Sequence, residues 1–263
     1  MSKVQDKLPT NGHAAPSALL VAMELRAPWE FWSVLPSWPL LRQAPAGDGH
    51  PVIVFPGLSA SDGSTMPVRS YLQNLGYEMS GWNQGYNFGP RAGVLETAKR
   101  QIMDTSEATG EKVSLVGWSL GGIYARELAK LLPAQVRSVV TMGTPFAGAH
   151  TSTNAWKLFQ LTSGKDVTKE LQQFDLPAAP LAPTTSIFSR SDGVVAWQAS
   201  IQKVQTNNRR TENVEVFASH IGLGLNPSAW WALADRLSQP EDGWQPFVRR
   251  NAFQRMVFPD PTR

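Results

Sequence analysis

Cysteine is absent from this 263-residue sequence, which excludes disulfides, thiolate nucleophiles and cysteine metal sites and leaves the redox compartment open. Histidine is nearly as scarce: His13, His50, His150 and His220 are the whole supply of imidazole bases. Charged residues make up only 17%, and 24 Lys and Arg against 21 Asp and Glu leave a formal net charge of +3. So small and scattered an excess argues against nucleic acid as a partner, and the one short basic cluster, Arg209-Arg210 with Lys203 nearby, reads as a solvated face. No apolar run is long enough to span a bilayer, because the stretch from Trp29 to Leu41 is broken by Glu30, Pro36 and Pro39. The polar start, Met1 to Pro16, has no apolar core followed by a small-residue cleavage site. The expectation is therefore a cytoplasmic chain without a secretory signal.

Apolar material, by contrast, is ample at 42%, with ten Trp and twenty Pro. No shift in composition marks a linker, so one domain is expected over residues 50–239, with an aromatic-rich arm at 1–49 and a tail at 240–263 packed on it. The arm should open with a short helix from Ala18 to Leu25 and then lay its aromatics across the domain; peripheral contact with a membrane interface is the rival reading. Short β-branched runs at Pro51 to Pro56, Lys112 to Gly117 and Val136 to Met142 have the character of buried parallel strands, and Tyr77 to Trp82 reads as a further strand. They alternate with helical patterns at Thr65 to Leu75, Ala92 to Thr109 (Val94, Ala98 and Ile102 on one face) and Leu120 to Leu132. This implies an α/β fold with a mostly parallel sheet covered on both faces. Between Gly143 and Pro183 the alternation stops and helix candidates at Asn154 to Leu161 and Val167 to Phe174 suggest an inserted cap, about residues 146–183. Strands resume at Thr185 to Ser189 and Asn213 to Ala218, before a last helix from Ser228 to Leu237.

The most informative segment is Val113 to Gly122, which contains Gly117-Trp118-Ser119-Leu120-Gly121. A bare G-x-S-x-G arises by chance in about one chain in ten of this length. Its setting, a buried strand before and a helix after, is what makes Ser119 a candidate nucleophile. The sharp strand-to-helix turn should strain the backbone, and side chains at positions 117 and 121 would collide with their surroundings. A serine needs a base, and the base an acidic partner. His13 lies in the polar start and His50 before the first strand, at the wrong edge of the sheet. His220 follows the strand ending at Ala218, at the carboxyl edge where open α/β sheets assemble their sites. His150 is a weaker rival inside the insertion. Asp192 follows the preceding strand at the same edge and is the expected acid, with a plain turn carboxylate as the alternative; Asp166 and Asp175 are weaker rivals. Oxyanion donors are expected from the backbone N–H groups of Leu120 and Leu58. Ser59, Trp82, Asn87, Trp118 and Phe146 are expected around the substrate, although Trp82, Asn83, Asn87 and Phe88 read equally well as plain loop residues.

Phe55-Pro56-Gly57-Leu58, Gly117-Trp118-Ser119-Leu120-Gly121-Gly122, Gly143-Thr144-Pro145, Asp192-Gly193-Val194-Val195 and Ser219-His220 together resemble the α/β-hydrolase superfamily, in particular bacterial esterase- and lipase-like members. The resemblance covers roughly residues 50–238. It implies an eight-stranded type of sheet, a Ser-Asp-His triad, no metal or cofactor, and hydrolysis through an acyl-enzyme. Pro56 stands where many lipases have histidine, so the polarity of the oxyanion turn is altered. The leading expectation is hydrolysis of a small-molecule or lipid carboxylic ester with an apolar acyl group. A thioesterase, lactonase or acyltransferase using the same residues is the second reading, and a hydrolase-fold binding or sensor protein the third.

Overall fold

In the computed structural model, which describes residues 13–148, 153–154, 174–205 and 208–263, the apolar runs become strands of one parallel sheet. They are β1 (Pro51–Phe55), β2 (Glu78–Gly81), β3 (Val113–Trp118), β4 (Val136–Met142), β5 (Thr184–Phe188) and β6 (Thr211–Glu215). Their order is β2-β1-β3-β4-β5-β6, with every neighbouring pair parallel. The resemblance implied eight strands; the described residues contain six. The sheet is an α/β-hydrolase sheet with helices on both faces.

Alternation along the strands divides the core in two. Val52 and Val54 of β1 face one layer, with Val116, Val140, Ile187 and Val214 from the other strands. Ile53 and Phe55 face the opposite layer, with Leu115 and Val139. The first layer is covered by α4 (Asp62–Asn74) and α7 (Pro227–Leu237), the second by α5 (Val94–Thr109) and α6 (Leu120–Leu131). The face of α5 that carries Val94, Ala98 and Ile102 is the buried one, as its spacing required.

The arm departs from expectation. It folds into three short helices, α1 (Ala18–Met23), α2 (Ala27–Trp32) and α3 (Val34–Leu41), with a 3-10 turn at Glu24–Arg26. Its aromatics cover the domain only in part: Trp38 meets Tyr71 of α4 edge to face at 6.2 Å, but Trp29 is 75% and Trp32 62% exposed. The arm is seated also by Ala27, Val34 and Leu41, and by Glu24, a buried carboxylate. In the tail, Phe247 and Phe258 pack edge to face at 4.9 Å beside Trp231, and α8 (Ala252–Val257) completes the chain. The inserted segment lies mostly outside the described residues, as do His150, Asp166 and most of both helix candidates.

Candidate active site

Chain order in the sheet fixes where a site can form. From β1 the chain steps outward to β2, then returns across β1 to β3, so the loops after β1 and β3 diverge and leave a crevice at their carboxyl ends. Ser119 terminates β3 on one side of that crevice and the turn Pro56-Gly57-Leu58 leaves β1 on the other.

Ser119 has φ 55° and ψ −121°, a conformation L-residues rarely adopt. Close packing imposes it. A Cβ added at Gly121 would lie 2.2 Å from the Phe55 carbonyl oxygen, and one at Gly117 2.3 Å from Gly122 Cα, so only glycine allows α6 to start this close to β1 and β3. The Ser119 N–H donates to the Met142 carbonyl at 2.8 Å, which locks the turn to β4. The side chain then projects from the start of α6, where exposed backbone N–H groups favour negative charge.

Two loops bring partners to it. His220 Nε2 lies 3.0 Å from Ser119 Oγ, and His220 Nδ1 lies 2.7 Å from Asp192 Oδ2. All three are buried but not sealed, with 8, 7 and 3% of Ser119, His220 and Asp192 exposed. The other Asp192 oxygen accepts from the N–H groups of Val194 and Val195 at 2.8 and 2.7 Å, so this carboxylate orients the imidazole and is itself fixed by its own loop. Burial pulls the His220 imidazole toward neutrality, but the charge and hydrogen bond of Asp192, joined by the charge of Glu24, outweigh it and raise its pKa above the ordinary 6.5. Beside Ser119, the Leu58 and Leu120 N–H groups have no acceptor among the described residues, and a Cβ at Gly57 would meet Ser119 Cβ at 3.4 Å, an ordinary van der Waals contact.

Several residues expected around substrate serve the frame instead. Asn87 is fully buried; its Nδ2 donates to the Pro56 carbonyl at 2.8 Å, its Oδ1 accepts from Tyr124 Oη at 3.2 Å, and its backbone pairs with Ser59 and Ala60. It braces the turn that carries Leu58. Trp82 is buried and stacks on Tyr124 at 6.3 Å, its indole N–H satisfied by the Gly85 carbonyl. Trp118 points beneath the histidine loop and donates from Nε1 to the His220 carbonyl at 3.1 Å. Phe146 is buried under the Arg126 guanidinium, 3.8 Å from its ring centroid. Ser59 remains exposed at the turn with φ 58°. Of the rivals for the acid, Asp175 sits at the far end of α6, where its carbonyl accepts from Lys130. His50 stands at the amino edge of the sheet, fully buried, bonded to Asp48 and, at 2.8 Å, to Ser114 Oγ. Burial there holds its pKa below the ordinary value.

Sequence reasoning missed Glu24, Arg26 and Glu30 of the arm. Glu24 Oε1 accepts from the N–H groups of Gly193 and His220 at 2.7 and 2.8 Å, and Oε2 from that of Ile221 at 3.0 Å. Glu30 Oε1 accepts from the Ser219 N–H at 2.8 Å and from Arg26 at 2.7 Å, while Arg26 Nη2 donates to Ser191 Oγ at 2.7 Å and to its carbonyl at 3.1 Å. The available signal was their rarity: they are the only charges between Ser17 and Leu41.

Known proteins share this fold. The palmitoyl protein thioesterase family profile matches residues 51–222. A triacylglycerol lipase of Pseudarthrobacter phenanthrenivorans is 32% identical over 115 residues, covering 40% of this chain and 35% of the lipase. One from Burkholderia plantarii is 32% identical over 115 residues, covering 40% and 32%. The chain thus matches about a third of the length of these curated relatives. Among solved structures, Aspergillus fumigatus lipase B superposes with TM-score 0.57 at 20% identity, over 77% of this chain and 57% of that one. A Paleococcus ferrophilus monoacylglycerol lipase does so with TM-score 0.53 at 14% identity, over 74% and 96%. At these identities the structural likeness is one of fold, whereas the profile spans more than half of the chain: it belongs to the palmitoyl protein thioesterase family, within the α/β-hydrolase superfamily.

Proposed function

We propose that the protein hydrolyses carboxylic esters of apolar acyl groups through an acyl-enzyme on Ser119. The reading is carried by one observation, the hydrogen-bonded file Ser119, His220, Asp192 opening beside two free backbone N–H groups. His220 Nε2 takes the Ser119 proton as Oγ attacks the carbonyl carbon, and the imidazolium is stabilised by Asp192. The tetrahedral oxyanion is received by the Leu58 and Leu120 N–H groups at the start of α6. His220 returns the proton to the leaving alcohol; water, deprotonated by the same imidazole, then releases the acid. The family supports a second reading, a thioester as substrate, with a thiol leaving group and otherwise the same steps.

A lipid ester is supported further by the arm, whose outer surface exposes Leu25, Trp29, Trp32 and Leu35 while Glu24 and Glu30 are turned toward the loops after β5 and β6. Such a face suits a lipid interface. Co-sedimentation with liposomes is expected for the wild type and is expected to weaken in Trp29→Ser/Trp32→Ser; equal binding by both would remove the arm as the contact. The reaction itself is tested with p-nitrophenyl esters from acetyl to palmitoyl and with an acyl thioester, using the wild type and Ser119→Ala. Activity confined to the wild type is the expected result, with the preferred acyl length and leaving atom read directly. Equal activity in Ser119→Ala would refute the mechanism.

A further inference from the structure

The loops that present His220 and Asp192 are each braced by bonds of their own, but they are joined to each other by few. Between them run a few internal bonds: Ser191 Oγ donates to the Ala218 carbonyl at 3.1 Å, and Ser189 Oγ accepts from the Ala218 N–H at 3.2 Å. The His220–Asp192 bond also joins them, and a further set of ties comes from the arm, 165 to 197 residues earlier in the chain. A single buried carboxylate, Glu24, gathers the N–H groups of Gly193, His220 and Ile221. Those donors belong to the residue after the acid, the base itself and the residue after the base. Glu30 takes the N–H of Ser219, the residue before the base, and is tied through Arg26 to Ser191, the residue before the acid. Backbone packing follows the same plan: a Cβ at Gly193 would lie 2.2 Å from the Leu20 carbonyl oxygen, so the Asp192-Gly193 turn requires glycine because the arm lies against it.

We propose that Glu24 is a positioning residue for the acyl-transfer site, a carboxylate that clamps the histidine and aspartate loops in register, with Glu30 and Arg26 as a second tie. The inference rests on the reading of Ser119, His220 and Asp192 as nucleophile, base and orienting acid. Hydrogen bonds from backbone N–H groups to an ionised carboxylate are stronger than neutral ones, and a base displaced by even about 1 Å loses much of its effect. Glu24 also places negative charge near the imidazole. Among the described residues, the charged groups that face His220 are Asp192, from the loop after β5, and Glu24, from the arm; Arg26 is turned to Glu30 and Ser191. Glu24 therefore has a signature in pH as well as in rate.

The test is the rate at which a fluorophosphonate probe labels Ser119, measured against pH in the full chain for the wild type, Ser119→Ala, Glu24→Gln and Glu30→Gln. In Glu24→Gln one carboxylate oxygen becomes an amide N–H₂ that cannot accept, and the charge is lost. Labelling is expected to slow by about 10-fold or more, and its acid limb to move to lower pH, since the imidazolium loses one of its two stabilising charges. Wild-type rate and an unmoved limb in folded Glu24→Gln would overturn the proposal. If Glu24→Gln fails to fold by circular dichroism, Glu30→Gln decides. Slower labelling is expected there, with a smaller shift of the limb because Glu24 stays, and an unchanged rate overturns the clamp. Failure of the underlying reading looks different: the wild type would not label, or Ser119→Ala would label equally.

Discussion

A serine held at φ 55° by two glycine contacts is bound to be sensitive to its neighbours. Gly121→Ala places a methyl group against a backbone carbonyl that cannot rotate away, so about 1–3 kcal/mol of stability and most of the turnover should be lost, as read from a urea midpoint and an ester assay. Ser119→Ala should leave stability nearly unchanged and lower kcat by on the order of 10⁵-fold. His220 sets the pH response. Turnover needs its neutral form, and since its pKa is raised, the acid limb of kcat/KM should lie above the 6.5 of an ordinary imidazole and move downward in Asp192→Asn, with a large loss of rate. These three side chains were legible because each follows a strand in a recognisable run, and strand ends are visible in the sequence. Glu24 was not, because nothing in its immediate neighbours announces acceptors for three N–H groups far along the chain. Asn87 and Trp118 were legible as polar-capable groups near the crevice, but not as braces. Which side of a loop a residue faces depends on packing with α6 and the histidine loop, which no local pattern encodes.

Helices with a clean apolar stripe were as legible as any element in the chain; α5 buries Val94, Ala98 and Ile102 and little else. The short helices of the arm were hidden for the opposite reason. Pro36 and Pro39 stand inside α3 and the aromatics recur without helical spacing, so composition suggested a coat of aromatics while the chain formed three brief helices that leave Trp29 and Trp32 outside. The tail shows how few residues fasten an element. Phe258 is 3% exposed and holds α8 against Trp231 and Phe247, with Arg263 and Arg190 both bonded to the buried Glu215. Phe258→Ala should cost about 3–5 kcal/mol, seen as a lower denaturant midpoint, with labelling of Ser119 in the folded protein unchanged because the tail touches Arg190 and Phe217 but bonds to none of Ser119, His220 and Asp192.

The molecule carries two imidazoles with opposite responses to acid. His50 is kept below its ordinary pKa by burial, offset only in part by Asp48, so the unfolded chain binds its proton first and stability falls as pH drops through 6.5 toward the folded value. His220 is raised; its contribution is full below 6.5 and fades as pH rises through its folded value. Urea midpoints between about pH 5 and 8 should therefore show a steeper acid loss in the wild type than in His50→Gln, provided the variant keeps its bond to Ser114. The parallel sheet that separates these two sites was evident from the strand runs, whereas the order of its strands was not, since only pairing decides which strands become neighbours. Finally, the arm and the loops it clasps are made at different times. Glu24 leaves the ribosome long before Gly193 and His220 exist, 169 and 196 residues later, so during synthesis its carboxylate lacks those donors until the loops after β5 and β6 have been made. On the proposed mechanism, competence for catalysis then arrives as one of the last events of folding, and a nascent chain with β1 to β4 already assembled would carry Ser119 without the base that is to activate it.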